Sequence, residues 1–306
     1  WFTNSNGQSF RTLGATRNAN PDLKWERTSM LNIGLDFSFF NNRLGGTIEY
    51  YNKNTDDLIY DYQVSTTKYL YKELTTNVGE INNKGIEVSI NAVPVQTKDF
   101  SWSTSVNLSH NKNVVKKISN DEFSVDYIDL SDLDAAGQTG KFQQRIMEGY
   151  PIGQFYTWEW AGYNEDGVSV FYVHDPDTGE RTGETTTTPA ETDRAATGSA
   201  QPDLNLGWNN SISYKKFTLI AFFQGVFGNE IMNGSRARYS NVQGNAGVRN
   251  LLHTVIDTEK TSDYNSHILS DRYLEKGDYF RLSTLSLAYD FGKIGNWVNN
   301  IRLYAT

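Results

Sequence analysis

The chain has no cysteine, which excludes a disulfide scaffold, a thiolate metal site and a cysteine nucleophile. No run of about 18 apolar residues occurs, so no helix of this sequence can cross a membrane. Basic residues are in deficit, 28 against 36 acidic, for a formal net charge of -8. A chain with that balance offers no basic stripe to neutralise phosphates, which excludes nucleic acid as a partner. Histidine is scarce: His110, His174, His253 and His267 are the four present, and none are paired at the i, i+4 spacing of a helical zinc site. There is no Gly-x-Ser-x-Gly elbow and no phosphate-cradling glycine loop. Carboxylates are plentiful, but no sequence feature selects a pair at glycosidase separation. The reading is therefore of a protein that is not an enzyme and carries no cofactor. The mean hydropathy of -0.57 excludes less than it suggests, because a β-barrel spans a membrane with only every second residue apolar.

What is present is strand periodicity. From Met30, the residues Leu31, Ile33, Leu35, Phe37 and Phe39 fall on one face, and Asn32, Gly34, Asp36 and Ser38 on the other. Asn41-Asn42, a dipeptide tolerant of positive φ, then leads into Leu44, Gly46, Ile48 and Tyr50, completing a hairpin. A second hairpin joins Ile86–Ala92 to Phe100–Leu108 through a Pro94-containing turn. A third joins Trp208–Tyr214 to Phe217–Phe227 through Lys215-Lys216, and a fourth joins Phe280–Phe291 to Ile301–Ala305.

Connections also alternate. Short turns are expected near residues 41–43, 93–99, 215–216 and 292–300, and long connections near 53–83, 110–206 and 228–279. Compact soluble domains seldom carry several structureless loops of that length, whereas outer-membrane barrels pair short turns on one side with long loops on the other. Aromatic residues gather near strand ends (Phe39, Phe40, Tyr50, Tyr51, Phe100, Trp102, Trp208, Tyr214, Phe217), as interfacial girdles require. A soluble sandwich or secreted adhesin also alternates apolar and polar residues. Its turn signals, however, recur every 8–12 residues or so, and here every second connection is long.

Six blocks, in order, carry a family resemblance. They are Asn20-Pro21-Asp22-Leu23-Lys24-Trp25-Glu26-Arg27-Thr28, Asn77-Val78-Gly79-Glu80-Ile81-Asn82-Asn83-Lys84-Gly85-Ile86-Glu87, and Glu148-Gly149-Tyr150-Pro151-Ile152-Gly153-Gln154-Phe155-Tyr156. Pro202-Asp203-Leu204 follows, then the hairpin Tyr214–Leu219 with Gln224-Gly225 and Gly228-Asn229, and last Gly277-Asp278-Tyr279-Phe280-Arg281-Leu282. Together they resemble the C-terminal barrel of the SusC/RagA family of TonB-dependent outer-membrane transporters. The resemblance implies an all-β fold, an antiparallel transmembrane β-barrel segment of about eight or nine strands from a barrel of about twenty-two. Residues 1–28 would end an extracellular loop and residues 29–306 would supply the C-terminal barrel portion. The opening Trp1-Phe2-Thr3-Asn4 and the closing alternating run, which stops without a turn, carry the expectation that the chain is a piece of something longer. A plug domain and further strands would then lie elsewhere in that polypeptide.

The resemblance further implies TonB-dependent uptake of oligosaccharides or peptides across the cell outer membrane. The expected partners are a SusD-like surface lipoprotein, TonB acting through the missing N-terminal part, and outer-membrane lipid. The alternative is a non-transporting barrel of the same family that scaffolds an outer-membrane assembly. Among loop residues, Tyr60, Tyr62, Tyr69 and Tyr71 alternate through one segment, and Phe155, Tyr156, Trp158 and Trp160 crowd another. Exposed rings stack on sugar faces, which makes Tyr60, Tyr62, Tyr156, Trp158 and Trp160 the substrate-binding candidates, against the plainer reading that they pack the loops. Asp175-Pro176-Asp177-Thr178-Gly179-Glu180 resembles a truncated acidic calcium loop. The family often carries Asp-x-Asn-x-Asp-Gly here, and the departures make an ordinary turn the favoured reading, with Asp175 and Asp177 the only metal candidates.

Overall fold

The computed structural model describes residues 2–3, 6–10, 15–120, 122–133, 140–242, 247, 249–257 and 260–306. Trp1 and Asn4 of the opening tetrapeptide fall outside them. Eight strands form one antiparallel sheet: β1 Arg27–Phe39, β2 Leu44–Gln63, β3 Glu73–Gln96, β4 Phe100–Lys117, β5 Leu204–Tyr214, β6 Phe217–Phe227, β7 Tyr279–Ile294 and β8 Val298–Ala305. Each pairs with its sequence neighbours, so the sheet is an up-and-down meander. It is open, with β1 and β8 as its edges.

Register turns the alternation of each strand into two continuous faces. Leu35, Ile48, Val88, Leu108 and Leu206 are successive partners across β1 to β5. One residue along, Gly34, Glu49, Glu87, Ser109 and Asn205 are partners on the other face. The apolar face is solvent-accessible, with Leu35 at 62% and Leu303 at 66% exposure. Contiguous exposed apolar surface of this kind marks a face made for lipid or for a partner.

Two glycines hold the strands close. A Cβ on Gly46 would lie 2.3 Å from the Ser89 carbonyl and 2.8 Å from the Phe37 ring, which covers the apolar face there. On the polar face a Cβ on Gly85 would meet the His110 carbonyl at 2.3 Å and the Tyr51 hydroxyl at 2.6 Å. Tyr51 lies over Gly85 and donates its hydroxyl to Asn111 at 2.9 Å.

All four short turns lie at the same end of the sheet. Asn41 and Asn42 adopt φ of 55° and 66°, and Lys215 51°, the left-handed conformations that tight hairpins need. Rings cluster at this end: Phe37 with Phe39, Phe39 with Phe40, Phe217 with Tyr289, and Tyr289 with Phe291. Toward the other end Trp208, Phe223 and Phe280 stack in series at 5.0 and 5.6 Å.

The connection expected over 53–83 is shorter than its sequence suggests. β2 runs to Gln63 and β3 begins at Glu73, leaving only residues 64–72 between them. The apolar alternation ends near Tyr50, but the ladder continues on polar side chains. Asn82 donates to Asn52 at 2.7 Å and Asn54 to Glu80 at 3.1 Å. A strand polar on both faces has no period-two signature to read. Similarly, β4 extends to Lys117 and β7 to Ile294.

The other two connections, 118–203 and 228–278, fold together as a head. One sheet orders Arg194–Ser199, Gln154–Trp158, Phe142–Ile146 and Ile128–Asp132; another orders Trp160–Tyr163, Ser169–His174 and Arg181–Thr186. Trp158, Phe171 and Leu269 form a core, with Met232 and Ile268 packed against it. Both connections contribute to that core.

Candidate functional site

A cleft of about 710 Å³ opens on the head, beside the four-stranded sheet. Tyr127, Arg145, Tyr156, Asp175, Glu191 and Arg194 are among its walls. The Arg145 guanidinium is held between two rings, 3.5 Å from the Tyr127 centroid and 4.1 Å from that of Tyr156. Asp129 accepts from its Nε at 2.8 Å and its Nη2 at 3.3 Å. Alternation along Phe142–Ile146 and its pairing with Ile128–Asp132, in which Asp129 faces Arg145, produce this arrangement.

Arg194 is buried behind Tyr156 and donates to the carbonyls of Phe142 and Tyr156. Burial, reinforced by the neighbouring Arg145, pushes its pKa below the ordinary arginine value; the group stays cationic. Lys141 and Glu191 form an ion pair at the rim. The cleft is thus aromatic and cationic at its back and mixed in charge at its mouth. Planar rings beside guanidinium groups suit sugar faces, amides and carboxylates.

The candidates separate by position. Tyr156 is half-buried and faces the cleft. Trp158 is buried in the head core, its Nε1 donating to the Ala190 carbonyl at 2.8 Å. Trp160 packs against the same core and donates to Ser169 Oγ at 3.0 Å. Tyr60 and Tyr62 belong to β2 rather than to a loop. Tyr62 is buried against Phe123 at 4.9 Å, in a cluster with Leu74 and Val78; Tyr60 is exposed, beside Val78 and Ile81. Asp175 lies at the cleft mouth. Its Oδ1 accepts from the Asp177 and Thr178 amides, both at 2.9 Å, and these hydrogen bonds, Thr178 first, lower its pKa. Gly179 closes the turn at φ 70°. Among the described residues no three His, Cys, Asp or Glu side chains converge as a metal set.

Sequence reading missed Tyr127, Arg145 and Arg194, which stand far apart in the chain and in segments without an apolar period. It also missed Glu159. This carboxylate accepts from Arg181 at 2.6 and 2.8 Å and contacts His174 Nε2 at 2.7 Å. The Arg181 hydrogen bonds lower the Glu159 pKa against the opposing effect of burial.

The recurring sequence blocks have a structural role of their own, at the junction of wall and head. Lys24 and Asn77 exchange two hydrogen bonds. Glu148 accepts from the Ile118 amide, Tyr150 from that of Val115, and Asn113 from that of Ile152. Asp203, Gly228 and Asp278 meet above β5, β6 and β7, with the Gly228 amide donating to Asp278 at 2.6 Å.

The model of the TonB dependent receptor-like β-barrel matches residues 2–306. The chain belongs to this family. TonB-dependent receptor P3 of Formosa agariphila is 31% identical across 94% of this chain and 30% of its own length. TonB-dependent receptor SusC of Bacteroides thetaiotaomicron is 27% identical across 93% of the chain and 28% of its own. The RagAB peptide transporter structure superposes with a TM-score of 0.75 at 25% identity, over 97% of this chain and 32% of that one. The SusC/RagA resemblance drawn from the six blocks therefore holds, and so does the reading as part of a larger barrel. The chain spans roughly a third of each of these relatives.

Proposed function

We propose that this chain is a wall and surface head of a TonB-dependent importer of the cell outer membrane, taking up oligosaccharides or peptides. The observation that carries the reading is the two-faced sheet: an exposed apolar face running through eight registered strands, backed by Asn, Ser, Thr and Glu. Hydrocarbon requires every backbone group to be paired within the protein, which a meander of long antiparallel strands provides once its edges are closed. The apolar face meets lipid and the polar face lines the lumen. There Glu49, Glu87, Ser89, Asn107 and Gln224 border a recess of about 420 Å³.

In this reading the short, ring-flanked turns face the periplasm and the head faces outward, where its cleft receives substrate. A SusD-like lipoprotein caps the head, and a plug elsewhere in the polypeptide moves under TonB force. The peptide named for the RagAB structure supports one substrate class, and the tyrosine–arginine cleft serves either. The test is uptake by cells carrying the full-length gene on the substrate that induces it. Replacing both Tyr127 and Tyr156 with alanine should reduce substrate affinity at least about fivefold, given about 0.5–1.5 kcal/mol per lost ring contact, with normal outer-membrane levels. Unchanged affinity would remove the cleft from the substrate path, and recovery of the protein outside the membrane fraction would overturn the importer reading.

A further inference from the structure

The apolar face ends in an arrangement that its own strands do not stabilise. Tyr50, Ile86 and His110 are cross-strand partners near its limit. Two residues further toward the head, the same face carries Asn52, Lys84 and Lys112, again directly paired across β2, β3 and β4. Directly opposed residues hold their Cβ atoms about 5 Å apart, and like charges so placed destabilise a sheet. Both lysines are exposed, and among the described residues neither has a salt bridge or a side-chain hydrogen bond. Asp56 and Glu80, further along β2 and β3, accept from Asn54 at 2.8 and 3.1 Å.

We propose that Lys84 and Lys112 form a binding site for the phosphate of an anionic membrane-lipid headgroup. The inference rests on the proposed insertion of the apolar face into lipid. Their height supplies the argument: they stand two residues, about 7 Å, beyond Ile86 and His110 and level with Leu31, the last apolar residue of this face on β1, where acyl chains give way to headgroups. There a lysine stem lies along apolar surface while its ammonium reaches outward. A phosphate between the two ammonium groups turns their mutual repulsion into shared attraction. The placement is confined to one face. Lys53, one residue from Asn52 on β2, points to the polar side, where no lipid would reach.

The experiment uses the full-length protein reconstituted into vesicles of phosphatidylglycerol and phosphatidylcholine, with spin-labelled lipids reporting relative association. Wild type should prefer phosphatidylglycerol by up to about thirtyfold, the effect of about 1 kcal/mol for each of two basic residues at an anionic surface. Lys84→Gln with Lys112→Gln should bring that preference close to unity, while Lys53→Gln should leave it intact. Lys84→Arg with Lys112→Arg should also retain it, which separates loss of charge from loss of fold. Retained preference in the glutamine pair, or equal loss in Lys53→Gln, would overturn the site. Flotation of the same samples tests the underlying reading. Protein that floats without lipid preference overturns the lysine site alone, and wild type that fails to float overturns both.

Discussion

At the scale of single residues, closeness and charge decide the outcome. Gly85 stands where β3 and β4 approach beneath the Tyr51 ring. Alanine there places a methyl group 2.3 Å from a backbone carbonyl that cannot rotate away. Gly85→Ala should therefore cost about 1–3 kcal/mol, read as a lower temperature for the folded-to-unfolded mobility shift of the full-length protein on gels. Glu159 makes a second prediction. Its folded pKa lies below the ordinary glutamate value of 4.5 because of Arg181. The unfolded state thus binds more protons, so the contribution to stability is present above about pH 4.5 and is lost as pH falls through the lower folded value. Amide protection factors in residues 154–199, taken relative to the intrinsic exchange rate at each pH, should fall between pH 5 and pH 3 or so. Arg181→Met should flatten that dependence, and an unchanged profile would remove the ion pair from the account.

At the scale of elements, the head coheres through one buried cluster. Asp263 accepts from Arg272 at 2.8 Å and from Ser169 Oγ at 2.6 Å, and Arg272 lies among the rings of Trp160, Tyr163 and Tyr273. Arg272 and Asp263 are both buried. Arg272→Met leaves a buried carboxylate without its cation, a loss of about 3–5 kcal/mol. The two connections should then be cut by protease at native temperature while the wall stays intact. Strands of the wall were legible because one face is apolar and the other polar, and Leu31 to Phe39 show it without interruption. Asn52 to Gln63 were not, since both faces are polar as far as Asp57 and the register then shifts on either side of Leu58, which breaks the alternation before Tyr62 reaches its apolar cluster. The head escaped for a different reason: its short strands have no one-sided core, and Asp263 reaches Ser169 across 94 residues. Trp158 and Trp160 looked like binding rings for the same cause, because burial among short strands leaves no periodic trace.

At the scale of the whole molecule, two unlike parts share one chain. The wall is a meander whose edges, β1 and β8, present unpaired backbone, and edges of that kind recruit other strands. The 306-residue chain produced alone should aggregate in detergent, whereas the full-length polypeptide should run as a discrete, heat-modifiable species. A monodisperse, protease-resistant preparation of the isolated chain would show that the wall needs no neighbours. The head is fastened to the wall at the strand ends, where the Val115 amide donates to Tyr150, the Ile152 amide to Asn113 and the Asn120 side chain to the Asn77 carbonyl, and where Phe123 packs against Tyr62, Leu74 and Val78. Inheritance acts differently on the two parts in consequence. Substitutions on the cleft surface leave the register of the wall untouched, so the proposed recognition site can vary while the fastening residues stay fixed. A whole head exchanged between related genes would have to carry the β5–β6 hairpin with it, because its two connections lie on either side of that hairpin in the chain.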